Sequence, residues 1–174
     1  KNPAPRVVGN HIIHIGIALL LIGVVSSSTL QETTDLFLRY PEDVNVPMDV
    51  GKSYSILLTG INVDQDERGN WYQDAQVKIL WKGAEIGEVT ERHVNDAVYG
   101  HYAEVSIFRG LRADVYPIFH GVSGHETDEI IIPLQVKVLP YVNLVWIGAL
   151  LNLLGMSLLL VFDRDKKTRK RRTQ

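Results

Sequence analysis

Two long runs without a charged residue decide what this chain can fold into. The first, VVGNHIIHIGIALLLIGVV, covers residues 7–25, and the second, YVNLVWIGALLNLLGMSLLLVF, covers residues 141–162. A helix rising ~1.5 Å per residue needs roughly 20 apolar residues to cross the hydrocarbon core of a bilayer, and both runs have about that length. The strongly polar members of the second run are Asn143 and Asn152. Gly16, Gly23, Gly148 and Gly155 sit inside the runs, where a soluble helix avoids glycine but a packed membrane helix uses it for close approach. Two buried core helices of a soluble protein are the alternative, but a small domain rarely hides two helices apolar on every side. A cleaved signal peptide also fits the pattern KNPAPR, apolar core, VVSSS. Against it, the first run is long for such a core and carries two histidines.

Charge gives the orientation. The chain carries a net −2, which hides a partition. Residues 1–6 and the tail DRDKKTRKRRTQ (163–174) hold nine Lys or Arg against two Asp, while residues 7–162 hold nine basic against eighteen acidic residues. Basic flanks stay in the cytoplasm, so the expected topology is a multi-pass plasma-membrane hairpin. Both termini are then cytoplasmic and residues 30–138 extracytoplasmic. The basic tail is the kind of segment that binds anionic lipid or RNA, but here it is read as the topology signal, with no nucleic-acid partner. There is no cysteine, hence no disulfide, no thiolate metal site and no C-x-x-C-H for covalent haem attachment.

The expected organisation is transmembrane helix 1 over residues 1–28, an extended connector over 29–49 containing Pro41 and Pro47, a β domain over 50–140, transmembrane helix 2 over 141–162, and the basic tail over 163–174. In QVKILWK, Val77, Ile79 and Trp81 alternate with Gln76, Lys78 and Lys82; in PLQVKV, Leu134, Val136 and Val138 alternate likewise. SYSILLTGINV, EIGEVTE, YAEVSIF and ADVYPIF are further strand candidates, and DERGN, KGAE, FRGLR and HGVSG are turn signals between them. About five to seven short strands in an antiparallel barrel or sandwich follow. The fold class is thus a membrane protein with two transmembrane helices flanking a small all-β extracytoplasmic domain. NVDQDERGN spaces oxygen ligands like a calcium loop but lacks the bidentate Glu, so a hairpin turn is expected there. His93, His101, His120 and His125 are scattered without metal-ligand spacing and read as strand or surface residues.

His11 and His14 lie three residues apart, on one face of the first helix, with His14 about one turn deeper. An ionisable side chain in a membrane helix is expensive and faces a partner or a cofactor. Two roles fit. In one, His11 sits among headgroups and His14 hydrogen-bonds a neighbouring helix. In the other, a neutral imidazole is an axial ligand of haem iron.

The layout resembles the C-terminal part of CcmF, the haem lyase subunit of bacterial and archaeal cytochrome c maturation. HIGIALLLIGVVSSS (His14–Ser28) is similar to that family's H-[ILV]-G-[ILV]-A helix ending near SS. EVSIFRGLRADVY (Glu104–Tyr116) resembles its E-x-x-I-x-x-G-L-x-x-D-[LV]-Y stretch, and PYVNLVWIGALLNLLGMSLLLVFDR (Pro140–Arg164) resembles its closing helix. The closing helix is the most specific of the three. The resemblance implies that His14 is an axial ligand of a haem b held between membrane helices, with Gly16 allowing close packing and His11 a less suitable ligand. No metal other than haem iron is implied. The family's second ligand lies on an earlier helix that this chain does not contain. Its tryptophan-rich WWD loop and flanking histidines are also missing, and Trp71, Trp81 and Trp146 are isolated.

The chain therefore corresponds to the end of the enzyme, as a split subunit, a truncation or a piece of something longer, and is not catalytic alone. Implied partners are the remaining membrane helices of the lyase, a haem chaperone and apocytochrome c. Two other functions fit the residues: a non-enzymatic membrane-anchored β module that recruits partners without a cofactor, and an electron-transfer subunit with its own bis-histidine haem.

Overall fold

The computed structural model describes residues 5–122 and 130–172, with side-chain surroundings for residues 6–122 and 130–161. His125 and the end of the expected HGVSG turn lie outside the described residues. The chain divides into two compact units, Lys1–Leu30 with Pro140–Gln174, and Gln31–Leu139.

The first unit is a pair of helices, α1 (Pro5–Thr29) and α2 (Val142–Arg172). Spans Arg6–Thr29 and Val142–Val161 are long and apolar enough to cross a membrane, and only 17% and 11% of their most apolar windows are buried in the molecule. A soluble core helix would be mostly covered, so the composition calls for a lipid surround. Gly9, Gly16 and Gly23 of α1 are buried against α2 at seven-residue spacing, opposite Gly155, Gly148 and Val145. The helices therefore run antiparallel. A Cβ on Gly16 would meet the Gly148 carbonyl oxygen at 2.9 Å, and one on Gly148 would meet the Leu20 nitrogen at 2.6 Å, so the backbones touch where only hydrogen fits. Isoleucine and leucine cover the other faces, with Ile15, Leu21, Leu150 and Leu160 exposed. α2 runs beyond the apolar span through the basic tail to Arg172. Lysine and arginine are good helix formers, and no Gly or Pro interrupts them.

The second unit is a β-sandwich, which resolves the choice between barrel and sandwich. Its nine strands, among the described residues, are β1 (Glu32–Tyr40), β2 (Pro47–Asp49), β3 (Tyr54–Gln65), β4 (Trp71–Trp81), β5 (Ala84–Asp96), β6 (Gly100–Glu104), β7 (Phe108–Arg109), β8 (Ala113–Phe119) and β9 (Ile130–Pro140). One sheet has the order β1-β9-β8-β7, the other β2-β3-β4-β5-β6. The core lies between them: Ile56, Leu58, Val77 and Ile79 from one sheet, Val115, Phe119, Ile132, Leu134 and Val136 from the other. The alternation in PLQVKV places Leu134, Val136 and Val138 inward, as expected.

The strands outnumber the five to seven expected, for two reasons. Residues 29–49, expected as an extended connector, are largely paired: β1 runs beside β9 from Glu32↔Val138 to Tyr40↔Ile130, and β2 beside β3. The single expected strand YAEVSIF is two, β6 and β7, in different sheets. Trp81 departs from the QVKILWK alternation. Val77 and Ile79 are fully buried, but the ladder slips between Ile79 and Leu80, and Trp81 ends half-buried with the Arg112 guanidinium 4.2 Å and the Lys82 ammonium 4.9 Å from its ring.

Two turns follow from local chemistry. Lys82 and Gly83 both have positive φ (50° and 79°), the conformation of a two-residue hairpin turn. In NVDQDERGN the Asp66 carboxylate caps its own turn, accepting from the Arg68 N–H at 2.9 Å and the Asn70 N–H at 2.8 Å. This is the expected hairpin between β3 and β4. The GLRADVY stretch builds a corner of the sandwich: Gly110 N–H donates to the Ala113 carbonyl at 3.2 Å, and the Phe108 ring packs against Gly87.

Candidate functional site

The two histidines of α1 share a face, and it is the face turned away from α2. Side chains two residues apart on a helix point roughly 200° apart, so His14 is opposite Gly16. Gly16 is buried against α2, whereas His11 and His14 are exposed. Gly16 thus lies in the seam with α2 and not beside the imidazole.

Both rings are held by the backbone. His14 Nδ1 lies 2.7 Å from the Asn10 carbonyl oxygen, and His11 Nδ1 lies 2.7 Å from the Val7 carbonyl oxygen. A carbonyl oxygen only accepts, so Nδ1 is the donor in both rings. A bond from one ring nitrogen to an acceptor fixes the ring's orientation, an arrangement that metal-bound histidines share. An imidazole nitrogen is the kind of donor that a haem iron takes. Asn152, one of the two asparagines of the second run, donates from Nδ2 to the Gly148 carbonyl of its own helix at 2.8 Å.

In the β unit the fold gathers residues that look unrelated in sequence. Val63, Trp71, Gln73, His93, Asn95, His101, His120, Gly121 and Val122 line a cleft of about 550 Å³. His93 and His101 sit on neighbouring strands in the register His93↔Ala103 and Asn95↔His101, and their rings stack with centroids 5.8 Å apart. His93 is wedged against Gly121 and edge-on to Phe119, with its Nδ1 buried and without a hydrogen-bond partner. Burial first, then the neighbouring His101 and His120, push the His93 pKa below the usual histidine value, against a weaker opposing pull from the Phe119 backbone. This cluster was not expected from histidines that read as scattered strand or surface residues. The signal was available in the eight-residue spacing of His93 and His101 around the NDAVYG turn, which lets two strands bring them onto one face.

No family model matches the sequence, and no curated protein matches it. A solved structure of the cytochrome c haem lyase CcmF is similar in fold, with a TM-score of 0.66 at 17% sequence identity, over 90% of this chain and 25% of that one. The chain thus shares the fold of part of that lyase and spans about a quarter of its length.

Proposed function

We propose that this chain is the C-terminal portion, or a split subunit, of a haem lyase of cytochrome c maturation. In it His14 supplies one axial ligand to a haem b between membrane helices, and the β unit serves as an extracytoplasmic docking surface. The observation that carries the proposal is the His14 ring, one turn inside an apolar helix, with Nδ1–H bound to Asn10 and its face left open by α2. The fold shared with part of CcmF supports the same assignment. His11 is held in the same way but lies one turn nearer the end of the helix.

In this proposal the open face of α1 packs against further membrane helices of the lyase, one of which brings the second ligand. When bound, the haem supplies one-electron chemistry. This chain's residues orient it: Asn10 holds the His14 ring, and the glycine seam sets α1 against α2. The remaining partners in this proposal are the haem chaperone and apocytochrome c, and the location is the plasma membrane with residues 30–138 outside.

The test is the haem b content of the purified assembly at matched protein levels, read from the reduced absorption spectrum. His14→Ala is expected to remove or strongly lower haem b and stop cytochrome c maturation, while His11→Ala does much less. Full haem in His14→Ala with loss in His11→Ala would move the ligand to His11. Full haem and normal maturation in both variants would leave the anchored module without a cofactor as the function.

A further inference from the structure

We infer that one end of the β unit is a docking surface for anionic phospholipid, whose phosphates Lys52, Lys82 and Arg112 hold while Trp81 and Leu111 meet the bilayer interface. The inference rests on α1 and α2 crossing a membrane and does not depend on His14 or on a haem. It starts from what strand register gathers at that end. Tyr54 pairs with Trp81 across β3 and β4, and the Lys82 N–H donates to the Ser53 carbonyl at 2.9 Å. The start of β1 is tied to the same place: the Lys52 N–H donates to the Glu32 carboxylate at 3.1 Å, and Gly51 lies against that carboxylate. From the other sheet, the β7–β8 turn brings the Arg112 guanidinium over the Trp81 ring.

These are the residue types that anchor a protein at a membrane surface. Indole favours the headgroup level, lysine and arginine extend charged heads toward phosphates, and an exposed leucine adds apolar area. The slip of the ladder between Ile79 and Leu80 is what takes Trp81 out of the core alternation and leaves it at this rim. Lys52, Lys82 and Arg112 are exposed, and Leu111 is 89% exposed in its turn. Among the described residues none of the three cations is in an ion pair. The nearby carboxylates have partners of their own: Glu32 takes the Lys52 N–H, Asp49 accepts from the Ser55 hydroxyl at 2.8 Å, and Glu85 pairs with Lys78 at 3.0 Å.

The chain's own connections make the partner a lipid surface. Two residues, Leu30 and Gln31, separate α1 from β1, and Tyr141 alone separates β9 from α2. Glu32 and Pro140 are therefore within a chain reach of about 11 Å of the ends of the two spans. That is close to the screening length of about 8 Å at physiological salt, so cations at this end feel a charged bilayer. The β unit as a whole carries twice as many acidic as basic residues, which an anionic surface repels. The far end of β4 has that sign. There, about 33 Å along an eleven-residue strand, Trp71 follows a turn holding Asp64 and Asp66, and Asp96 accepts from Asn70. The basic end offsets the repulsion at the place where short linkers hold the unit near the bilayer.

The experiment reads the two ends of β4 by their own indoles. The full chain is placed in nanodiscs containing phosphatidylcholine spin-labelled at the headgroup. Either Trp81 is the only tryptophan (Trp71→Phe/Trp146→Phe) or Trp71 is (Trp81→Phe/Trp146→Phe). Quenching is the ratio of emission with and without the spin label, so changes in the brightness of the indole itself cancel. In equal parts phosphatidylcholine and phosphatidylglycerol, Trp81 is expected to be quenched and Trp71 not. Lys52→Gln/Lys82→Gln/Arg112→Gln should weaken docking about fivefold for each charge removed, and pure phosphatidylcholine or high salt should also reduce the quenching of Trp81. Lys52→Glu, which removes no cation from the Trp81 ring, should act in the same direction and carries the test if the triple variant does not fold. The response should persist in His14→Ala, which separates this surface from the haem site. Quenching of Trp81 that is the same in both lipids, or unmoved by Lys52→Glu, would overturn the inference, because the short linkers alone would then account for it. Equal quenching of Trp71 and Trp81 would overturn it too, since this end would not be the one that docks.

Discussion

Glu91 lies on β5 with no exposed surface, and both of its carboxylate oxygens accept from the Ser106 N–H, at 3.2 and 3.1 Å. Desolvation raises its pKa from 4.5 to about 8, and the Ser106 bond offsets only part of the rise. The folded chain therefore holds a proton here that the unfolded chain has released. Stability falls as pH rises through the window from about 4.5 to about 8 and levels off above it. Glu91→Gln keeps the acceptor and removes the charge. It is expected to raise the unfolding temperature by about 5 °C at about pH 8.5 and to leave it nearly unchanged at about pH 5, by differential scanning fluorimetry. An equal effect at both pH values would show that Glu91 is not protonated. At this scale the sequence is legible where a residue contradicts its surroundings. His14 stands out because everything around it is apolar. Glu91 and the His93 cluster do not, because their settings depend on strand register, which alternation alone leaves undetermined.

The α1–α2 seam is built from glycines whose hydrogens face the opposite backbone. Overfilling such a contact costs about 1–3 kcal/mol or more, since neither helix backbone can yield as a side chain does. Gly148→Leu is expected to lower the thermal stability of the detergent-purified chain and to loosen the helix pair, whereas Leu150→Ala, at a position 65% exposed, should change it little. Equal effects would place the seam elsewhere. The helices and their glycines were readable because length and lack of charge are local properties. β1 was harder to read. Leu36 and Leu38 do point inward in alternation, but Glu32 shares their face, Asp35 and Arg39 take the other positions and Pro41 follows, which gives the stretch the composition of a linker. Its pairing with β9 is a contact between residues about a hundred positions apart, which no local pattern encodes.

For the molecule as a whole, the absence of cysteine makes sidedness measurable with a single introduced thiol. Ser123, a natural choice by sequence, lies outside the described residues, whereas Val98 in the β5–β6 turn is 82% exposed. Val98→Cys is expected to react with an impermeant maleimide in intact cells. Reaction only after lysis would reverse the topology read from the basic flanks. The pairing of both units also has a consequence in time. α1 finds α2, and β1 finds β9, only after residues 31–139 have been made. At roughly 5–20 residues per second, ribosomes need on the order of ten seconds for that stretch. During this interval α1 waits without α2, and β1 waits with an open edge. Both units therefore close late and almost together, as β9 and α2 emerge, so a stall anywhere in between leaves two unfinished structures on one nascent chain.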